Sequence, residues 1–164
     1  MITLITGGAR SGKTRHALVY AGSKDPKTYI ATSERLDDEM RERAARHRAE
    51  RGAQWDTIEE AYDLSENLRR LEGVVVIDCL TVWLSNWVLR AEDQAGKQIE
   101  LLCRTLRVAE AEVVAITNEV GWAIVPDNAL ARRFRDHSGL MNQRVAEIAD
   151  RVLLMVCGIP LQVK

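Results

Sequence analysis

The stretch Ile2-Thr3-Leu4-Ile5-Thr6-Gly7-Gly8-Ala9-Arg10-Ser11-Gly12-Lys13-Thr14 decides how the rest of the chain is read. Its first part is a short, continuous apolar run of the kind that forms a strand buried on both faces. Its second part, Gly7-x-x-x-x-Gly12-Lys13-Thr14, matches the phosphate-binding P-loop pattern in full. A helix-like stretch from Thr14 to Ala21 follows, so the loop stands between a strand and a helix. In that setting the glycines let backbone N–H groups turn inward around phosphate oxygens, where a Cβ would obstruct them. The helix N-terminus adds its partial positive charge. Lys13 is expected to reach the β- and γ-phosphates of a nucleoside triphosphate, and the Thr14 hydroxyl to ligate Mg²⁺. The expected nucleotide contacts are therefore Gly7, Gly8, Ala9, Arg10, Ser11, Gly12, Lys13 and Thr14.

Further along, short β-branched runs recur at Thr28 to Ala31, Val74 to Ile77, Val113 to Thr117 and Val152 to Val156, most of them separated by helix-like stretches rich in Ala, Leu, Glu and Arg. Strands that are apolar throughout and alternate with helices predict a mostly parallel sheet covered on both faces. Together with the P-loop this gives an α/β, three-layer P-loop NTPase fold of the RecA-like kind. Gly158 and Pro160 separate two final strand-like runs and predict a C-terminal hairpin. Val74-Val75-Val76-Ile77 ends in Asp78, placing a carboxylate at the carboxyl edge of the sheet, where ligands collect in open α/β folds. A carboxylate there typically holds Mg²⁺ through water. The competing role for Asp78 is a helix N-cap or turn.

No repeat, low-complexity tract or linker divides the 164 residues, so one domain spanning 1–164 is expected. Hydrophobic residues make up 46% and charged residues 29%, and the net charge is −1, which speaks against nucleic acid or a membrane surface as partner. No apolar run approaches the roughly twenty residues needed to cross a bilayer, and the N-terminus lacks the basic start of a secretory signal. Cys79, Cys103 and Cys157 show no CxxC spacing and read as reduced, partly buried thiols of a cytoplasmic protein.

From Glu34 to Arg51, twelve of eighteen residues are charged, which predicts an exposed, projecting helix with acids near its start and arginines near its end. His47 lies in the basic half, between Arg46 and Arg48, with Arg43 and Arg51 one turn away. Neighbouring cations disfavour the imidazolium and keep such a histidine nucleophilic, and the guanidiniums suit phosphates. A merely solvated face fits the same spacing. His16 and His137 read equally well as surface or capping residues.

Taken together, ITGGARSGKTRHA, the Ala31-Thr32-Ser33 segment, the run from His47 through Arg48 and Arg51 to Trp55, VVVIDCLTVWLSN and Asn118-Glu119-Val120-Gly121 with Ile124-Val125-Pro126 closely resemble the bifunctional adenosylcobinamide kinase/adenosylcobinamide-phosphate guanylyltransferase family of cobalamin biosynthesis. The resemblance covers essentially the whole chain. It implies a two-step enzyme. A nucleoside triphosphate (ATP or GTP) phosphorylates the aminopropanol hydroxyl of adenosylcobinamide. GTP then gives GMP to an active-site histidine, and adenosylcobinamide phosphate takes the GMP to form adenosylcobinamide-GDP. The resemblance places the guanylylated histidine at His47. It places the guanine-nucleotide contacts at the P-loop, Ala31, Thr32, Ser33, Glu34, Arg48, Ala49, Glu50, Arg51, Glu59 and Asp78. It also implies a homotrimer with sites at subunit boundaries. Trp83, Trp87 and Trp122 are candidate interface residues because tryptophan is enriched at interfaces, and packing in the monomer's core is the alternative. The residues alone leave Thr32 and Ser33 open as a turn and Glu59 as a surface carboxylate. Asn118 and Glu119 are read as able to orient substrate or metal, and Arg132, Arg133 and Arg135 as able to meet phosphates or a neighbouring subunit; a helix N-terminus around Pro126 and Asp127 followed by a solvated basic helix face fits the same residues. Ala123 and Asp127 depart from the glycine and glutamate expected at their places in many relatives. Two other functions fit the P-loop alone: a monofunctional kinase of another small molecule, and a nucleotide-gated binding module.

Overall fold

The computed structural model of the chain describes residues 1–34, 52 and 54–164. The predicted projecting helix and His47 lie outside these residues. The chain order is β1 (Ile2–Gly7), α1 (Lys13–Ala21), β2 (Lys27–Ala31), β3 (Asp56–Glu59), α2 (Leu64–Leu68), β4 (Val74–Asp78), α3 (Leu80–Val108), β5 (Glu112–Ile116), a 3₁₀ turn (Val120–Trp122), α4 (Ala129–Ile148), β6 (Arg151–Val156) and β7 (Ile159–Gln162). The seven strands form one sheet in the order β3-β2-β4-β5-β1-β6-β7. Every pairing is parallel except that of β6 with β7, the expected C-terminal hairpin.

The period of two along each strand divides the core. On β4, Val75 and Ile77 belong to one buried cluster with Leu64 and Leu68 of α2, Leu80, Trp83 and Leu84 of α3, and Met141 and Val145 of α4. Val74 and Val76 belong to the other, with Ala17 and Ala21 of α1. Helices thus cover both faces, three on one side and α1 on the other, and the three-layer α/β expectation holds. Both faces being covered explains why β1, β4 and β5 read as unbroken apolar runs.

Trp83 is only 1% exposed and takes the core alternative, not the interface one. It lies three residues after Leu80, on the same helix face, and its indole N–H donates to the Tyr62 carbonyl at 2.8 Å. Trp87 is half-buried against the same cluster, while Trp122 is 71% exposed. The cysteines are free, but Cys157 is exposed in the β6–β7 turn and does not share the partial burial expected of all three.

Candidate active site

The register of the parallel strands brings distant segments to one edge. Ala31, last in β2, pairs with both Glu59 and Asp78, the last residues of β3 and β4. Asp78 pairs in turn with Ile116 of β5, and Ile5 of β1 with the same Ile116. The P-loop, residues 31–34, Glu59, Asp78 and residues 117–119 therefore share the carboxyl edge, where the helix after β1 also begins.

The P-loop has the backbone its composition demands. Gly7 and Gly12 take φ of 146° and 95°, and Arg10 takes 53°. A Cβ at Gly7 would lie 2.7 Å from the Met155 carbonyl oxygen, and one at Gly12 would lie 3.2 Å from the Gly158 Cα. Glycine at both positions answers conformation and close approach together. The backbone of Gly8 through Gly12 leads directly into the N-terminus of α1, a segment whose N–H groups can be offered to an anion. Lys13, 8% exposed, donates to the carbonyls of Gly7 at 3.1 Å and Gly8 at 2.6 Å. Burial pulls its ammonium below the usual lysine range, opposed by the charge of Asp78.

Across the edge, Asp78 Oδ2 accepts from the Thr14 hydroxyl at 2.8 Å and the Tyr29 hydroxyl at 2.6 Å. Asp78 caps nothing: Cys79 is the N-cap of α3 and no side chain bonds there. The link between Thr14 and Asp78 joins the end of the phosphate loop to the end of β4, the two groups predicted to address Mg²⁺. No group of three or more His, Cys, Asp and Glu side chains able to hold a metal occurs among the described residues. A hydroxyl and one carboxylate instead suit a cation that arrives with phosphate oxygens and water. Cys79 is buried between Lys13 and α3, and burial first, then the Asp78 charge, push its thiol up to about 11, so it stays protonated.

Thr32 is fully buried, and its hydroxyl works inward, donating to the Cys79 carbonyl and accepting from the Cys79 N–H, both at 2.8 Å. Ser33 and Glu34 are half-buried at the mouth of the edge, where Glu34 accepts from the Tyr62 hydroxyl at 2.5 Å. Glu59 is exposed at the end of β3. Arg48, Ala49, Glu50 and Arg51, like His47, lie outside the described residues. Arg135 and Arg132 tie down the loop after β5, bonding the carbonyls of Gly121, Pro126 and Asp127, while Arg133 pairs with Glu92.

A family profile described as cobinamide kinase / cobinamide phosphate guanyltransferase matches residues 3–163. The chain belongs to that family. As a member of the cobinamide kinase/guanylyltransferases it is a bifunctional, nucleotide-using P-loop transferase of adenosylcobalamin biosynthesis. It is 40% identical to the bifunctional adenosylcobalamin biosynthesis protein CobU of Escherichia coli (strain K12), over 100% of both chains. It is 39% identical to the corresponding CobP of Pseudomonas aeruginosa, over 100% of this chain and 98% of the relative. Among solved structures, the type III secretion ATPase EscN of enteropathogenic E. coli matches 95% of this chain and 43% of its own, with a TM-score of 0.56 at 13% identity. A second type III secretion ATPase, from pathogenic bacteria, matches 93% of this chain and 50% of its own, with a TM-score of 0.54. These two likenesses show the fold of the cobinamide kinase/guanylyltransferase chain and nothing more.

Proposed function

We propose that this chain, as one domain over residues 1–164, phosphorylates the aminopropanol hydroxyl of adenosylcobinamide and then guanylylates the product through a GMP–His47 intermediate. The observation that supports this reading is the convergence of Lys13, Thr14 and Asp78 at one sheet edge in a member of a kinase/guanyltransferase family. In the first step Lys13 and the P-loop amides hold the β- and γ-phosphates and neutralise charge that builds on them. Thr14 and Asp78 are the residues that would hold Mg²⁺, which would supply positive charge against the phosphates. In the second step the His47 imidazole attacks the α-phosphorus of GTP and pyrophosphate leaves. A phosphate oxygen of the cobinamide phosphate then displaces the imidazole. Ala31, Thr32, Ser33, Glu34, Glu59 and residues Arg48 to Arg51 complete the nucleotide site, with the hydroxyl of Thr32 acting as a clasp beneath it. GTP serves the second step; the first accepts ATP or GTP. No helix among the described residues is long and apolar enough to cross a membrane, and the free thiols suit a reducing cytoplasm.

The test is covalent. Incubation with α-labelled GTP followed by denaturation is expected to leave acid-labile, base-stable label on the wild-type protein and none on His47→Asn, which retains kinase activity. Label on His47→Asn at the wild-type rate would overturn the assignment. For the assembly we propose a homotrimer whose sites are closed by neighbouring subunits, with Trp122 the remaining exposed tryptophan among the aromatic candidates. Light scattering at micromolar concentration tests it, and a fully active monomer refutes it.

A further inference from the structure

The segment that leaves β5 carries a carboxylate at the same sheet edge as the phosphate loop. β5 lies between β1, which carries the phosphate loop, and β4, which ends in Asp78. Strands are spaced by about 4.8 Å, so the segment that follows β5 leaves the sheet between the segments that follow β1 and β4. That segment is Thr117, Asn118 and Glu119. The Thr117 N–H continues the ladder to Ile5, and the Glu119 N–H then donates to the Gly7 carbonyl at 3.3 Å. The same carbonyl accepts from Lys13 Nζ, so the Glu119 backbone and the phosphate-gripping ammonium share one acceptor atom.

The Glu119 side chain is held from one side only. Oε1 accepts from the Thr6 hydroxyl at 2.5 Å and from Asn142 Nδ2 at 3.3 Å. Asn142 is itself fixed, accepting from Thr117 at 2.7 Å and donating to the Asn118 carbonyl at 3.2 Å. Glu119 Oε2 takes no hydrogen bond among the described residues, and the residue is half-buried and not sealed. The geometry is a carboxylate clamped through one oxygen, on a backbone that shares the Gly7 carbonyl with Lys13, with the other oxygen available to a substrate.

Only one of the two reactions requires such a group. Attack by the imidazole, and the later attack by an already ionised phosphate oxygen, need no protein base to deprotonate the attacking atom. The kinase step begins with a neutral alcohol whose proton must leave. We propose that Glu119 Oε2 is the proton acceptor for the substrate hydroxyl in phosphoryl transfer, an inference that rests on the kinase activity proposed above. The alcohol oxygen forms its bond to the γ-phosphorus, and the bond from that phosphorus to the β-bridging oxygen breaks. The bonding electron pair leaves with the nucleoside diphosphate, and the hydroxyl proton passes to Oε2.

Glu119→Gln keeps an oxygen that accepts from Thr6 and Asn142 and removes only the basic oxygen. With γ-labelled nucleotide and adenosylcobinamide, kinase kcat is expected to fall by about 10²–10³-fold with little change in KM. Labelling from α-labelled GTP, measured on the same sample, should stay within about threefold of wild type, since positioning of the nucleotide survives. In Glu119→Ala, added formate is expected to restore part of the lost kinase rate. Kinase turnover within about threefold of wild type for Glu119→Gln, or equal loss of labelling and phosphorylation in both variants, would overturn the assignment. Failure of the underlying kinase/guanylyltransferase reading would show instead in the wild-type protein, as absence of both products.

Discussion

Two clusters of ionisable side chains sit at opposite ends of the same sheet, and they are wired differently. At the amino end, Glu112 opens β5 and spends both carboxylate oxygens. Oε1 accepts from the Tyr20 hydroxyl at 2.7 Å, and Oε2 pairs with Lys24 at 2.5 Å. At the carboxyl end, Asp78 and Glu119 are each held through a single oxygen that receives two donors, and the second oxygen accepts nothing among the described residues. The first cluster pins α1 and the segment after it to the sheet and closes on itself. The second is fixed in place and incomplete, which is what groups that must bind a ligand require. Both clusters carry carboxylate charge, and they differ in how many of their acceptors are used.

The largest expected effect is at the lysine of the phosphate grip. Lys13→Ala should lower both phosphorylation and histidine labelling by on the order of 10³-fold, because both reactions begin with the same phosphates. Steady-state assays of each step check it, and loss of only one would break the view of a shared site. Next, Asp78→Asn keeps an acceptor for Thr14 and Tyr29 but removes the charge. Turnover should fall on the order of 10²-fold, partly recovered by raising Mg²⁺, while thermal unfolding changes little. A large fall in Tm would move Asp78 to the structural class.

Thr32→Val tests the boundary between the two classes. Its hydroxyl is a clasp on Cys79, so the substitution should cost about 1–3 kcal/mol by leaving a buried N–H unsatisfied. Urea unfolding measures this. The smallest effect belongs to the amino end, where Glu112→Gln should cost about 0.2–1 kcal/mol, since the pair is partly exposed and screened. Burial acts to raise the Glu112 carboxyl, but the bonds from Lys24 and Tyr20 outweigh it and hold it below the usual range. A depressed carboxylate contributes stability above its unfolded value and loses it as pH falls through the folded one. The gap between wild type and Glu112→Gln should therefore be full at pH 7 and close in acid.

Much of this arrangement was legible in the chain. The P-loop, the strands that are apolar throughout and the carboxylate after Val74-Val75-Val76-Ile77 each carry a local signal, and the sheet places them as that signal implies. β3 was not legible. Asp56-Thr57-Ile58-Glu59 holds one strongly apolar residue between two acids, and it is an edge strand whose pairing with β2 comes from tertiary context. For Trp83 the residue type alone does not choose between an interface and the core, and the core is where it lies. Its spacing from Leu80, Leu84 and Val88 marks the buried stripe of α3. The frame around Glu119 left no pattern at all, because Asn142 lies 23 positions away and Thr6 lies 113.

The hairpin turn at Gly158 has a consequence for how the chain acquires its function as it folds. The Gly158 N–H donates to the Ser11 carbonyl at 3.0 Å, and its Cα lies against Gly12. β1 is also flanked by β6, and the Ile2 N–H is bonded to Asp150, 148 positions later. The nucleotide grip at Gly7 to Thr14 is thus buttressed by residues far from it along the chain, in β6 and the turn at Gly158. Closing so long a loop costs entropy that early segments cannot recover alone, so the grip matures late in folding. Half-folded chains would then leave cellular nucleotides alone, and tight nucleotide binding would report that β6 and its hairpin have docked.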